Sequence, residues 1–71
     1  MKKEEDLIYS LIFSEETTFI IDISDYVVDI YQYSEFISKI KDILKKSKVK
    51  VNKSNVVRDS KTVIWELKVK K

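Results

Sequence analysis

The stretch SDYVVDIYQY, residues 24–33, decides the fold, because its pattern fits two kinds of secondary structure. As a helix, it would begin with Ser24 as the N-cap. Its apolar residues Val27, Ile30 and Tyr31 would then share one face. As a strand, it has the Tyr, Val and Ile content that sheets favour, and it would pair back on the preceding residues through a tight turn. Such a turn favours Asn-Gly or Asp-Gly and the chain has no glycine, so we expect a helix and keep the strand as the alternative.

A helix is predicted before this stretch, over residues 2–13. Its apolar side chains repeat at i, i+1, i+4 and i+5, as Leu7, Ile8, Leu11 and Ile12. Three acidic residues lie in its first turn, where they favour the helix dipole. The face that carries Leu7, Ile8 and Leu11 would serve either the core or a homodimer interface, and the sequence leaves both open.

A strand is predicted over residues 17–23 (TTFIIDI). The segment is rich in β-branched and aromatic residues, and Phe19, Ile21 and Ile23 fall on one parity. The sequence does not identify the strand with which it pairs.

The clearest helical pattern covers residues 34–47 (SEFISKIKDILKKS), with Ser34 placed to cap its start. Five apolar residues fall within one arc: Phe36, Ile37, Ile40, Ile43 and Leu44. The opposite face collects polar residues, namely Ser38, Lys41, Asp42 and Lys45, with Lys39 and Lys46 on its flanks. The segment is therefore predicted to be an amphipathic helix with a lysine-rich outer face.

After this helix the pattern changes to period two and predicts a β-hairpin over residues 49–69, with a turn at 58–61. Its apolar positions are Val49, Val51, Val63, Trp65, Leu67 and Val69. Residues 52–55 form either a bulge or a second turn that would make a three-stranded meander. Because no glycine is present, positive φ angles are expected at Asp25, Asn52, Asn55 and Asp59.

Together these elements predict one small α+β domain over residues 1–71, with α-β-β-α-β-β as the alternative order if 24–33 is a strand. The order helix, strand, two helices and hairpin resembles the winged helix-turn-helix family over nearly the whole chain. Residues 23–31 look like that family's second helix, 34–46 like its recognition helix and 49–69 like its wing.

In that family the recognition helix enters the major groove and the wing contacts an adjacent groove or phosphates. The resemblance implies nucleic-acid-binding roles for Ser38, Lys39, Lys41, Lys45, Lys46, Arg58 and Lys61. The predicted helix face has no Arg, Asn or Gln to bind bases in bidentate fashion, so we expect salt-dependent binding to double-stranded DNA with modest sequence discrimination. A small transcriptional regulator is the first functional hypothesis.

The two halves of the chain carry opposite charge. Residues 1–36 contain two basic residues against nine acidic ones, a net of −7, and residues 37–71 contain twelve against three, a net of +9. Such asymmetry suggests a polyanionic partner for the basic half. The other interpretation is that the acidic half packs beside the basic half and neutralises it.

A second hypothesis is a protein-protein interaction or inhibitor module that acts through the acidic, tyrosine-rich N-terminal half. Its candidate partner-binding residues are Tyr26, Tyr31, Tyr33, Asp25 and Asp29, because tyrosines act as interface anchors. Core packing is the simpler role for the aromatic residues, above all for Phe36 and Trp65. The Ile-, Lys-, Tyr- and Ser-rich composition resembles that of small proteins from AT-rich phages and archaeal viruses.

The composition also excludes several kinds of site. The chain has no Cys, His or Gly, which rules out disulfides, the usual zinc sites and glycine-rich phosphate loops. Asp22, Asp25 and Asp29 suggest Mg²⁺ only weakly and are better explained as acids at helix starts. We therefore expect a protein that is not an enzyme, with no catalytic residue, metal or cofactor. With no long apolar run, it is expected to be cytoplasmic and to have no membrane partner.

Overall fold

The computed structural model describes residues 2–71 and has two helices and one three-stranded antiparallel sheet, which confirms the α+β class. The elements in chain order are α1 (Glu4–Phe13), β1 (Thr18–Asp22), α2 (Tyr33–Lys46), β2 (Lys50–Arg58) and β3 (Val63–Lys70). Two short 3-10 turns, Ile23–Asp25 and Ile30–Gln32, connect β1 to α2. Two of the three predicted helices, the first strand and the hairpin are thus present, with ends that differ from the predictions by a few residues.

The strand order of the sheet is β1-β3-β2, so the last strand lies in the centre. The first strand, whose partner the sequence did not identify, pairs antiparallel with β3, where Ile21 lies opposite Trp65. On the other side Val51 lies opposite Val69. The strict alternation of β3 is consistent with this position, since one of its faces is buried along its full length.

Both helices pack on one face of the sheet, and a single hydrophobic core fills the space between them. The core side of β3 contributes Val63, Trp65, Leu67 and Val69, all of them buried. The ring of Phe36 in α2 meets Trp65 edge-on at 6.5 Å between centroids. From α1, Leu7 and Leu11 are buried in this core and Ile8 packs against its edge. The apolar face of α1 is therefore used within the chain.

Residues 24–33 form neither the expected helix nor the alternative strand. Asp22 accepts hydrogen bonds from the backbone N–H and the hydroxyl of Ser24, at 3.1 and 2.6 Å. Asp29 accepts one from the backbone N–H of Tyr31 at 2.9 Å. These aspartates bond to the backbone two residues further on, which stabilises separate 3-10 turns and competes with a continuous helix. Ser24 therefore lies inside a turn and does not cap a helix.

Three local details of the prediction are corrected. Helix α2 begins at Tyr33, with Gln32 before it and no side-chain cap, so Ser34 lies within the first turn. The hairpin turn spans 59–62, one residue later than expected, because β2 pairs as far as Arg58. Of the two alternatives for residues 52–55, the structure shows the bulge, with a register shift between Val51 and Lys53.

The positive φ angle also lies elsewhere than expected. Over residues 2–71 it occurs at Lys48, with φ 61°, and at none of the four Asn and Asp positions that were predicted. Lys48 directly follows the C-cap of α2, where a left-handed residue ends many helices. The backbone geometry of a helix end therefore sets this angle.

Candidate nucleic-acid interface

Helix α2 has two polar flanks with different surroundings. At about 100° per residue, the flank toward β2 carries a stripe with spacings of four, three and four: Ser34, Ser38, Lys41 and Lys45. The flank toward α1 carries Lys39, whose ammonium lies 2.9 Å from a carboxylate oxygen of Glu4. Lys39, predicted on a flank of the outer face, thus pairs with α1, whereas Lys41 and Lys45 lie on the side of β2.

An open groove of about 600 Å³ lies between the end of α2 and the start of β2. It is lined by Lys41, Lys45, Lys48, Val49, Lys50 and Val51. We call the four lysines Lys41, Lys45, Lys48 and Lys50 the basic groove. All four are exposed, and among residues 2–71 no carboxylate lies within 4.0 Å of their ammonium groups. The groove therefore presents positive charge that the described part of the chain does not neutralise.

The end of α2 places Lys48 in this groove. The backbone N–H of Val49 donates to the carbonyl oxygen of Leu44 at 2.9 Å, and that of Lys48 donates to Lys45 at 3.1 Å. These two bonds form a Schellman motif, in which the residue with positive φ is usually glycine. The accompanying apolar contact is supplied by Val49 and Leu44, which are both buried in the core. A lysine here costs conformational energy and adds a charge to the groove.

Arg58 and Lys61, the two candidate residues of the hairpin, lie far from the basic groove. Arg58 ends β2 eight residues after Lys50, a separation of about 26 Å along the strand at 3.3 Å per residue. Its guanidinium lies over the rings of Tyr31 and Tyr33, 5.1 and 5.7 Å from their centroids. Arg58 thus lies against two of the tyrosines that the second hypothesis assigns to partner binding.

The hairpin turn is held by one carboxylate. Oδ1 of Asp59 accepts hydrogen bonds from the backbone N–H groups of Lys61, at 3.0 Å, and Thr62, at 3.4 Å. These bonds favour the charged form, first through Lys61 and then through Thr62, and lower the pKa of Asp59 below its ordinary value of 3.8. The ammonium of Lys61, by contrast, is exposed and has no ion-pair partner among residues 2–71.

Lys46 and Ser38 are the remaining candidate residues of α2. Lys46 pairs with Asp42 one turn before it, at 3.1 Å, and both side chains are largely exposed. Ser38 is exposed on the stripe that borders the groove. Of the ion pairs among residues 2–71, only that of Lys39 with Glu4 joins the basic half to the acidic half. Direct neutralisation of one half by the other is thus limited to the α1 side of α2.

The residues of the alternative site differ in exposure. Tyr26 stacks on Phe36 at 5.7 Å and is half-buried against the core. Tyr33 also packs partly on the core, whereas the side chain of Tyr31 is 72% exposed. Asp29 caps the second 3-10 turn, and Asp25 pairs with Lys2 at 3.3 Å. Of the three tyrosines, Tyr31 offers the most surface to a partner.

Sequence reasoning missed two members of the basic groove, Lys48 and Lys50. Their signal was present as a run of alternating lysines that starts where α2 ends. Only the chain reversal at Lys48, followed by the return of β2 alongside α2, brings these lysines next to Lys41 and Lys45.

Among residues 2–71, no group of three or more acidic side chains is arranged to bind a metal ion. Neither helix of this described region combines the length and the apolar character that crossing a bilayer requires. Comparisons of the chain with protein-family models, with curated proteins and with solved structures found no match.

Proposed function

We propose that this protein is a small DNA-binding transcriptional regulator of winged-helix-like architecture that contacts duplex DNA with α2 and the β2–β3 hairpin. Support comes from the order of elements, since one exposed amphipathic helix directly precedes a hairpin whose second strand lies in the centre of the sheet. The two 3-10 turns then occupy the place of the second helix of the winged helix-turn-helix pattern.

The observation that carries this proposal is the basic groove. Four lysines line one open groove, and their ammonium groups have no ion-pair partner among residues 2–71. One of them, Lys48, occupies a backbone position that favours glycine. A site that concentrates positive charge in this way attracts a polyanion, and the phosphates of DNA are a dense source of negative charge.

Lysine ammonium groups are point charges that mostly contact phosphates, and phosphate contacts carry no sequence information. The groove therefore supports affinity more than sequence recognition. At the other end of β2, Arg58 and Lys61 would add contacts from the hairpin. In this proposal Lys39 and Lys46 contribute less, because each already has a carboxylate within 4.0 Å.

The test is fluorescence anisotropy of a labelled duplex titrated with the protein at about 50 and 200 mM salt. Four phosphate contacts predict a loss of affinity of roughly a hundredfold across that range. In the variant with Lys41→Gln and Lys45→Gln, the slope of log K against log salt falls by about two. The matched control changes Lys2→Gln and Lys3→Gln, which removes the same charge from the N-terminus, and retains the wild-type slope. Failure of the wild-type chain to bind duplex at the lower salt overturns the proposal.

A second candidate is a protein-interaction or inhibitor module. The observation that favours it is exposed apolar surface in the acidic connecting segment, where Val28 is 90% exposed and Tyr31 72%. Exposed apolar and aromatic side chains that are surrounded by acidic residues are suited to binding a basic surface on another protein. This function predicts a partner that binds the wild-type chain and is lost with Val28→Lys or Tyr31→Ala, while the Lys41→Gln and Lys45→Gln variant still binds it.

A further inference from the structure

The face of the sheet that the helices leave uncovered carries four exposed lysines. The strand register sets them directly against one another in two pairs, Lys50 with Lys70 and Lys53 with Lys68. We call these four residues the lysine ladder. Lys50 belongs both to the ladder and to the basic groove, so the two surfaces meet at the β2 edge of the sheet.

The bulge in β2 creates this ladder. Val51 lies on the core side opposite Val69, and in a regular strand Lys53 would share that side because side chains alternate. The extra residue Asn52 reverses the alternation, so that Lys53 emerges on the open face and Ser54 on the core side. The irregularity therefore collects the lysines of β2 and β3 on one surface.

This arrangement has an electrostatic cost. Directly opposite side chains in an antiparallel pair have Cβ atoms about 4.5–5.5 Å apart, and like charges at such positions destabilise the sheet. Within residues 2–71, no carboxylate lies within 4.0 Å of any ammonium group in the ladder. The neighbouring Lys71, by contrast, donates hydrogen bonds to the carbonyl oxygens of Ser14 and Glu16. Glu66 lies on the same face beside the ladder but forms no ion pair with any of its ammonium groups. Opposed like charges without an ion-pair partner depart from the pairing preferences of sheets, and such departures are expected at functional sites.

We propose that the lysine ladder is a second phosphate-contacting surface, so that the backbone of duplex DNA is bound on both sides of the β2 edge. This inference rests on the proposed DNA binding and extends its footprint from the groove to the open face of the sheet. Among the described strand residues, none on this face is aromatic, which leaves no platform for stacking the bases of a single strand. Lysines without such a platform match the phosphates of a duplex.

The test measures the salt dependence of duplex binding for the variant with Lys68→Gln and Lys70→Gln. Both side chains point away from the core, and removing one lysine from each opposed pair relieves repulsion, so the melting temperature is expected to stay level or rise. The slope of log K against log salt falls by about two, since two phosphate contacts are lost. Lys70→Gln alone lowers the slope by about one. The control with Lys2→Gln and Lys3→Gln keeps the wild-type slope.

Two outcomes overturn the inference while leaving the proposed function intact. In the first, the Lys68→Gln and Lys70→Gln variant binds duplex with the wild-type slope, whereas Lys41→Gln and Lys45→Gln lower it. In the second, the Lys68→Gln and Lys70→Gln variant keeps the wild-type slope for duplex binding but loses the binding to phosphatidylserine vesicles that the wild-type chain shows. That result assigns the ladder to anionic lipid. Absence of duplex binding by the wild-type chain is a different result, because it removes the proposed function itself.

Discussion

The guanidinium of Arg58 lies over the ring of Tyr31, with its central carbon 5.1 Å from the ring centroid. This contact joins the end of β2 to the second 3-10 turn, two parts of the chain that the sequence assigned to competing functions. It gives the irregular connection before α2 a direct contact with the hairpin. A change in either segment is therefore expected to affect the other.

Arg58→Ala is expected to lower the free energy of unfolding by about 0.5–1 kcal/mol, the range of a cation–π contact at an exposed site. Urea denaturation measures the change, and a double-mutant cycle with Tyr31→Ala isolates the coupling between the two side chains. Lys61→Ala in the adjacent turn serves as the control, because Lys61 contacts no ring among residues 2–71. A coupling energy of zero would show that the contact contributes nothing to stability.

Ser54→Ala is expected to destabilise the protein by about 1 kcal/mol, at the low end of the cost of a lost buried hydrogen bond. The indole N–H of Trp65 donates to Oγ of Ser54 at 2.8 Å, and Trp65 is fully buried. The substitution leaves that donor without its partner. Ser38→Ala, on the exposed flank of α2, is the control and should be neutral in the same thermal or urea melt. Equal stability of the two variants contradicts the role assigned to this bond.

The stability of the hairpin turn is expected to fall in acid. Because the folded-state pKa of Asp59 is lowered from 3.8, its charged form stabilises the fold above that value, and this contribution is lost as pH falls through the folded pKa. Carbon NMR of the Asp59 carboxyl measures the titration directly. Asp59→Asn keeps an oxygen acceptor that does not titrate, so this variant should lose less stability than the wild type between pH 6 and 3. A folded-state pKa at or above 3.8 would disprove the prediction.

Lys48→Gly is expected to raise the free energy of unfolding by about 1 kcal/mol, because glycine adopts the left-handed conformation without a steric penalty. The same change removes one charge from the basic groove and should weaken duplex binding. Lys48→Ala separates the two effects, since it removes the charge and keeps a Cβ in the strained conformation. We expect both variants to bind DNA equally weakly and only the glycine variant to melt at a higher temperature. If the alanine variant is stabilised as much, strain at residue 48 is not the cause.

The sequence predicted the elements whose hydrophobic pattern is strong and local. The arc from Phe36 to Leu44 and the alternation from Val63 to Val69 identified α2 and β3, because burial of one face determines both patterns. Residues 24–33 have no such dominant face. There the hydrogen bonds of Asp22 and Asp29 to the local backbone decide the outcome, and helix and strand propensities both failed to predict it.

The candidate site was predicted in part. Lys41 and Lys45 were among the proposed contacts, and the structure brings them together with Lys48 and Lys50. Arg58, which was assigned to the same nucleic-acid-binding set, does not lie in this groove, because it ends β2 whereas Lys50 begins it.

By itself, the sequence determined the α+β class, the amphipathic helix, the hairpin and the concentration of positive charge after residue 36, since composition and periodicity are properties of the chain alone. Only the tertiary structure decided that β3 lies in the centre of the sheet and that the bulge at Asn52 collects lysines on its open face. Tertiary packing also placed the basic groove beside α2. Pairing register and the direction in which a strand returns depend on contacts between distant residues, which no local pattern encodes.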